Sequence, residues 1–419
     1  MTEADSSDID RERLVDDLRD LVRTPSITGS ETEVAEWAAQ ALRELGLAVV
    51  VHRPEPASIR ADPDWPGEEM ARTELPVVIG QVGPAGGRRL ILSGHLDVVP
   101  PGEPSTWSVD PWSGQVQDGR LFGRGACDMK GGVAAILAAV RALAAAGDLD
   151  RLDGQLQVVL VPSEEDGGQG TLAAIRAGAM ADGAIITEPS NLDVVVAHAG
   201  AITFRLIVPG RAAHASQRRE GVSALDKLAL IVRALEDDET RRNAAETDPL
   251  MTDLGLPYPT IIGIVSGGHW ASTVLDRVTA HGRYGVRLGQ TAEDAERELR
   301  AAIERACADD AFLRDHPATV EITGGRFGSA RLPADHPLPV GLADVAESVG
   351  GRRPAILGVP YGADMQMFVN VGRTPCVIYG PGDVRLAHSA NESVPIEEVV
   401  TCARVLRAWV QGQIGRPRA

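Results

Sequence analysis

No apolar run in the sequence approaches the ~18 residues that span a bilayer, so no membrane partner is expected. Cysteine is scarce. Cys127, Cys307, Cys376 and Cys402 are the only four, widely scattered and without a C-x-x-C pair. This argues against a disulfide framework and fits free thiols in a reducing compartment, so a cytoplasmic location is expected. The opening Met-Thr-Glu-Ala-Asp-Ser-Ser-Asp is acidic and polar, unlike the basic, apolar start of a signal peptide. Positive charge is in deficit: 41 Lys and Arg against 59 Asp and Glu leave a formal net charge of −18. Nucleic acid requires a basic footprint and is not expected as a partner. The acidic balance reads as a solvated surface that aids solubility. Lysine is nearly missing, with Lys130 and Lys227 alone, which is read as compositional bias. There is no internal repeat and no low-complexity tract.

What is present is a globular chain of 419 residues, 44% hydrophobic. At about 100–200 residues per domain that length suggests two or three domains. Helical spacing of Ile9, Leu14, Leu18, Leu21 and Val22 predicts a first helix. Ser30-Glu31-Thr32-Glu33 reads as a capping box opening a second helix that runs to Leu45, with Gly46 as its C-terminal cap. The proline-rich stretch between Val51 and Leu75 reads as an exposed loop. Short apolar runs at Arg89–Ser93, Gln155–Val161 and Gly183–Thr187 alternate with helical patterns at Gly132–Ala146 and Thr171–Ala179. Buried strands alternating with helices predict an α/β sheet covered on both faces. From Gly200 the texture changes to β-α-β-β-α-β, ending with a strand at Ala318–Thr323. This order resembles a split βαβ sandwich inserted into the larger domain. The expected division is 1–199 and 326–419 for the catalytic domain and 200–325 for an inserted lid.

Four segments place ligand-type residues beside turns at strand ends. Ser93-Gly94-His95-Leu96-Asp97 follows an apolar strand. A zinc-binding histidine usually has its second ring nitrogen fixed by a carboxylate or carbonyl, and Asp97 can do this; an ordinary polar pair at a strand end reads equally well. Gly123-Arg124-Gly125-Ala126-Cys127-Asp128-Met129-Lys130-Gly131-Gly132 opens a helix. It lacks the residues of a phosphate loop or a dinucleotide fingerprint, and Asp128 could equally cap the helix. Glu164-Glu165-Asp166 is either a solvated acidic turn or a pair of carboxylates delivered to a sheet edge, where α/β ligand sites form. Glu188 follows another strand in the same way. Finally, Tyr379-Gly380-Pro381-Gly382-Asp383 leads to His388, Ser389 and Glu392. Alone, His388 would be structural. Together the segments supply two histidines and several carboxylates, the donor set that zinc-class divalent ions take.

In that order, these four segments resemble the dinuclear-zinc amidohydrolase and metallopeptidase family that includes acetylornithine deacetylase, succinyl-diaminopimelate desuccinylase, aminoacylase and glutamate carboxypeptidase. The similarity runs from about Leu14 to Leu406. It implies an α/β fold, a mixed sheet covered by helices in a zinc-peptidase-like catalytic domain, with an inserted α+β split-βαβ lid that forms a homodimer. By the family pattern Asp128 bridges two divalent ions, zinc first and cobalt or manganese as alternatives. His95 and Glu188 complete one ion, and Glu165 and His388 the other. Glu164 matches the general base and Asp97 the residue orienting His95. The Asp128–Met129 bond is expected to be cis. His214, in Gly210-Arg211-Ala212-Ala213-His214, matches a histidine that helps hold the substrate carbonyl oxygen, often in the partner subunit's site. In such a site the ions lower the pKa of a shared water toward ~7.

The chain departs from that pattern in places. Where many members carry Asn-Val-x-Pro, it has Thr273-Val274-Leu275-Asp276, so Thr273 replaces a substrate-binding asparagine. Arg287, fourteen residues on, matches an arginine that binds the substrate carboxylate. His198-Ala199-Gly200 stands where desuccinylases show Arg-Arg-Gly, which weakens the desuccinylase reading. The expected activity is metal-dependent hydrolysis of the amide of an N-acyl amino acid or similar small metabolite, with acetyl or formyl as preferred acyl group. A dipeptidase or carboxypeptidase of the same family is the alternative. A non-catalytic metal- or amino-acid-binding protein is a reading of another class, and it has no need of Glu164.

Overall fold

The computed structural model describes residues 9–416, so the opening Met1–Asp8, read above as unlike a signal peptide, lies outside the described residues. Helix α1 (Arg11–Arg23) is capped by the Asp10 carboxylate on the Arg13 N–H and buries Leu14, Leu18, Leu21 and Val22. Helix α2 (Thr32–Glu44) starts without the expected capping box. Glu31 takes the cap position, and its carboxylate accepts instead from the Gly29 N–H at 2.8 Å and the Arg72 guanidinium at 3.1 Å. A buried ion pair outbids a surface cap there, because an unpaired Arg72 would be costly.

The chain continues through β1 (Ala48–His52), α3 (Pro56–Arg60), β2 (Val77–Val82), β3 (Arg89–His95), β4 (Gln115–Gln117), β5 (Arg120–Phe122), α4 (Gly131–Ala145), β6 (Gln155–Val161), α5 (Gln169–Arg176), β7 (Gly183–Ile186) and β8 (Val194–His198). Next come β9 (Gly200–Pro209), α6 (Ala224–Ala244), α7 (Pro249–Thr252), β10 (Thr260–Gly267), β11 (Arg277–Val286), α8 (Ala292–Asp309) and β12 (Thr319–Phe327). The last elements are β13 (Ala330–Arg331), α9 (Pro337–Gly350), β14 (Ile356–Val359), β15 (Cys376–Ile378), β16 (Ser393–Pro395) and α10 (Ile396–Ile414).

The main sheet has the order β1-β2-β6-β3-β7-β15-β8-β13, with β14 also paired to β8. Its centre, β6-β3-β7-β15, is parallel, and its flanks are antiparallel except for β14, which runs parallel to β8. The central strands are buried almost end to end, which is why they read as apolar runs rather than alternations. Helix α4 lies against β3, α1 and α10, while α2 and α5 lie against β2. β4 and β5 form a small separate sheet with β16.

The stretch from β9 to β12 makes a second sheet, β10-β11-β9-β12, antiparallel throughout. β9 alternates buried and half-buried residues, so one face packs on α6 and α8 around Phe204, Leu206, Ile231 and Leu299. Helix α6 continues past its apolar pattern at Leu235 to Ala244. Arg242 explains the extension: it is fully buried, paired with Asp238 at 2.9 Å and set 3.9 Å from the Tyr284 ring centroid. Paired charge replaces apolar periodicity over this last stretch.

Candidate metal centre

Because β3, β6, β7 and β15 run parallel, their carboxyl ends meet at one edge, where α/β ligand sites form. β3 ends on His95, and the turns after β6 and β7 carry Glu164, Glu165 and Glu188. The loop after β15 brings His388 back to the same edge. Asp128 arrives from the kinked turn before α4, and its bond to Met129 is cis, as expected. A Cβ on Gly132 would lie 2.1 Å from the Thr187 carbonyl oxygen, so only glycine lets α4 approach the end of β7 this closely.

His95 Nε2 lies 3.0 Å from Asp128 Oδ1 and 3.5 Å from Glu188 Oε1. His388 Nε2 lies 3.0 Å from Glu165 Oε2 and 3.5 Å from Asp128 Oδ2. Asp128 therefore stands between the two histidines. Donor atoms of His95, Asp128 and Glu165 lie within 4.8 Å of one another, as do those of His95, Glu164 and Glu188. His388 and Ser163 hold left-handed backbone at φ +58° and +66°, a cost that non-glycine residues bear where a site requires it.

Asp97 meets His95 through its main chain rather than its carboxylate. His95 Nδ1 is 2.9 Å from the Asp97 main-chain oxygen, whereas the carboxylate is 3.7 Å away. The carboxylate accepts instead from the N–H groups of Glu164 and Glu165 at 3.0 and 3.2 Å and from the Thr28 hydroxyl at 3.0 Å. One residue thus aims the histidine with its carbonyl and the acidic turn with its side chain.

The cluster is rich in uncompensated negative charge. Burial, added to by Asp128, pushes Glu188 up to about 8. Burial also raises Glu165, and holds Glu164 well above the usual carboxylate range. Asp128 is held low: hydrogen bonds from His388 and His95 outweigh the burial that opposes them. Bonds to Asp128 and Glu165 raise His388 to about 10. Oε1 of Glu165 and Oε1 of Glu188 are buried without a hydrogen-bond partner. Buried carboxylate oxygens with no donor, set among imidazoles, fit a site for divalent cations.

Glu392 is a residue that sequence reasoning assigns no role. Its buried carboxylate accepts from the N–H groups of Gly125, Cys127 and Asp128 at 3.1, 2.9 and 3.0 Å and pairs with Arg124. It clamps the turn that presents Asp128. Its place four residues after His388 was the one available signal. A cavity of about 320 Å³ opens on the cluster, lined by Asp128, Glu164, Glu165, Glu188 and His388 together with Arg283, Phe327 and Tyr361.

The lid residues are placed elsewhere. His214 and Thr273 form a bridge pair with each other, and both are exposed and outside the cavity lining. Arg287 is also outside it: its guanidinium pairs with Glu298 at 2.6 Å, beyond the end of β11. In this structure the partner of Arg287 is Glu298 on α8. The arginine in the cavity wall is Arg283, four residues upstream on β11.

The fold is shared with a metallo-carboxypeptidase of Sulfolobus solfataricus, at TM-score 0.73 over 95% of this chain and 98% of that one, with 17% identity. In sequence the chain is 28% identical over 430 residues to N-formyl-4-amino-5-aminomethyl-2-methylpyrimidine deformylase of Bacillus subtilis, covering 96% of this chain and 94% of the relative. It is 33% identical over 307 residues to succinyl-diaminopimelate desuccinylase of Methylobacterium radiotolerans, covering 70% and 71%. The model of peptidase family M20/M25/M40 matches residues 91–412, a span that holds the whole cluster from His95 to His388, and the chain belongs to that family of hydrolases.

Proposed function

We propose that the chain hydrolyses the amide bond of a small N-acyl amine, with acetyl or formyl as the acyl group. The observation that supports this most is the convergence of Asp128, Glu164, Glu165, Glu188 and His388 on one small cavity, with His95 buried among them. Asp128 would be shared by two divalent ions, with His95 and Glu188 holding one and Glu165 and His388 the other. Zinc suits this nitrogen and oxygen set, and cobalt or manganese can replace it. Bound there, such ions make water a better nucleophile near neutral pH and polarise a carbonyl.

The chain's own groups do the rest. Glu164, its N–H anchored on Asp97, takes a proton from the attacking water and returns it to the leaving nitrogen. Tyr361 and Phe327 line the cavity beside the cluster. The deformylase relative supports a small acyl group, since its name describes removal of a formyl group from an amine. The lid, residues 200–325, is read as the dimerising layer. Its edge strand β10 exposes Ile264 and Val265, and Trp270 follows it at 74% exposure. His214 would then reach the partner's site. No helix among the described residues is long and apolar enough to cross a membrane; a cytoplasmic location remains part of this reading.

The test is activity on a panel of N-acetyl and N-formyl amines with dipeptides alongside. Chelation is expected to abolish turnover, and zinc, cobalt or manganese to restore it. Full turnover by rigorously metal-free protein would overturn the mechanism.

A further inference from the structure

A second cavity, of about 570 Å³, lies where the two sheets join, and it shares no lining residue with the cavity over the metal cluster. The antiparallel side supplies Leu288, the first turn of α8 and Arg326. The main-sheet side supplies Trp65 and Pro66 of the α3–β2 loop, with Gln366 and Met367. The two sides touch at its wall, because the Arg326 N–H donates to the Pro66 carbonyl at 2.6 Å.

The groups this wall leaves unused are donors. Gln366 is only 5% exposed, and its buried Nε2 has no hydrogen-bond partner among the described residues. The same holds for the buried Nε1 of Trp65. Unpaired buried donors are costly, and two on one cavity ask for an acceptor. Arg326 is loosely held, with Nη1 3.5 Å from Glu293 Oε1 and Nη2 3.4 Å from Glu296 Oε2. A charge-assisted bond is usually ~2.7–2.9 Å, and Glu296 is already taken by Arg300 at 2.7 Å. At the start of α8 the Thr291 hydroxyl accepts from the Asp294 N–H, which leaves the N–H groups of Ala292 and Glu293 for other acceptors. Two acids also line the cavity, and each faces an arginine: Asp64 lies 2.5 Å from Arg176, and Glu293 is the residue beside Arg326.

We infer that this cavity binds a small organic anion, its carboxylate or phosphate held between Arg326 and the first turn of α8. A guanidinium fork beside the positive end of a helix suits an oxyanion. Gln366 and Trp65 donate to the remaining acceptor atoms of the ligand. The space is far larger than inorganic phosphate needs, and Pro63, Leu288, Met367 and Val371 give it an apolar wall, so the ligand carries an apolar body. Bound there, the anion touches both sheets and ties one to the other.

Phenyl phosphate and benzoate are the probes, titrated calorimetrically into metal-loaded protein freed of excess metal. At least one of them is expected to bind saturably, and more tightly than inorganic phosphate or phenol. Arg326→Gln should weaken that binding roughly 10- to 150-fold, and Gln366→Leu about 2- to 10-fold. Ala292→Glu, at a half-exposed position, should weaken it by like charge without disturbing the fold. Glu165→Ala, which is expected to lose metal, should bind as the wild type does, which separates this cavity from the metal centre. No saturable binding of either anion would overturn the inference. So would affinity unchanged in both Arg326→Gln and Ala292→Glu, or lost in Glu165→Ala. A urea midpoint near that of the wild type shows that a variant is folded. Should Arg326→Gln fail that check, Ala292→Glu and Gln366→Leu decide.

Discussion

Glu164 and Glu165 are neighbours with the same side chain, and both main-chain N–H groups rest on Asp97. What separates them is direction: Glu165 faces His388 at 3.0 Å, while Glu164 is grouped with His95 and Glu188. Glu164→Ala is expected to lower kcat by about two to four powers of ten while metal content, measured by atomic emission, stays near that of the wild type. Glu165→Ala should lose metal. Loss of metal in Glu164→Ala would mean that the two roles are exchanged. Another prediction concerns His198, fully buried at the end of β8, with Nδ1 2.8 Å from the Ala199 carbonyl. Burial depresses its pKa to about 4 from the usual 6.5, against a small opposing effect of that hydrogen bond. The unfolded chain therefore binds the extra proton first as pH falls, and stability present above pH 6.5 is lost on the way to pH 4. The loss is on the order of 3 kcal/mol. In denaturant titrations across that range, His198→Asn should flatten the pH dependence by about one proton; an unchanged slope would show that His198 is already charged in the fold.

At the scale of elements, the acidic turn after β6 is held from the side by the loop between α3 and β2. Arg72, fully buried, joins Glu31 at 3.1 Å to Asp166 at 3.1 Å, and Ser163 donates to the same aspartate. The turn that carries Glu164 and Glu165 is thus braced by a stretch that reads as an exposed proline-rich loop. Arg72→Met leaves two buried carboxylates without their cation. That should cost about 3–5 kcal/mol, read as a lower urea midpoint. A cost below about 1 kcal/mol would match a surface ion pair instead and would remove the bracing role. Pattern reasoning missed the brace because its three members lie far apart in the chain, and none shows a periodicity.

At the scale of the whole molecule, two sheets with separate apolar cores face one cavity. The parallel sheet contributes the cluster, and the antiparallel sheet contributes Arg283 and Ile261. His214 lies outside the cavity of its own chain, so its expected contact with substrate requires a second copy. Mixing His214→Ala with Glu164→Ala protomers should restore up to about a quarter of wild-type activity, from the one site in four that combines both intact residues when dimers assemble at random. Light scattering that shows only monomer, or a mixture no more active than either variant, would remove the role in trans.

The sequence alone determined the parts that depend on local chemistry. Apolar runs ending in His95, Glu164 and Glu188 announced parallel strands and a ligand edge, because full burial on both faces imposes that composition. The β-α-β-β-α-β order announced the second sheet, and the segments around His95, Asp128, Glu165 and His388 named the cluster. Tertiary structure alone decided which atoms do the work. Asp97 aims His95 through its carbonyl, Glu392 clamps the Asp128 turn across the fold, Glu298 pairs with Arg287, and Arg283 lines the cavity. Each of these outcomes depends on which of several candidate partners lies within reach of one hydrogen-bonding group or one charge. Spacing along the chain carries no information about which partner is nearer once the strands have paired.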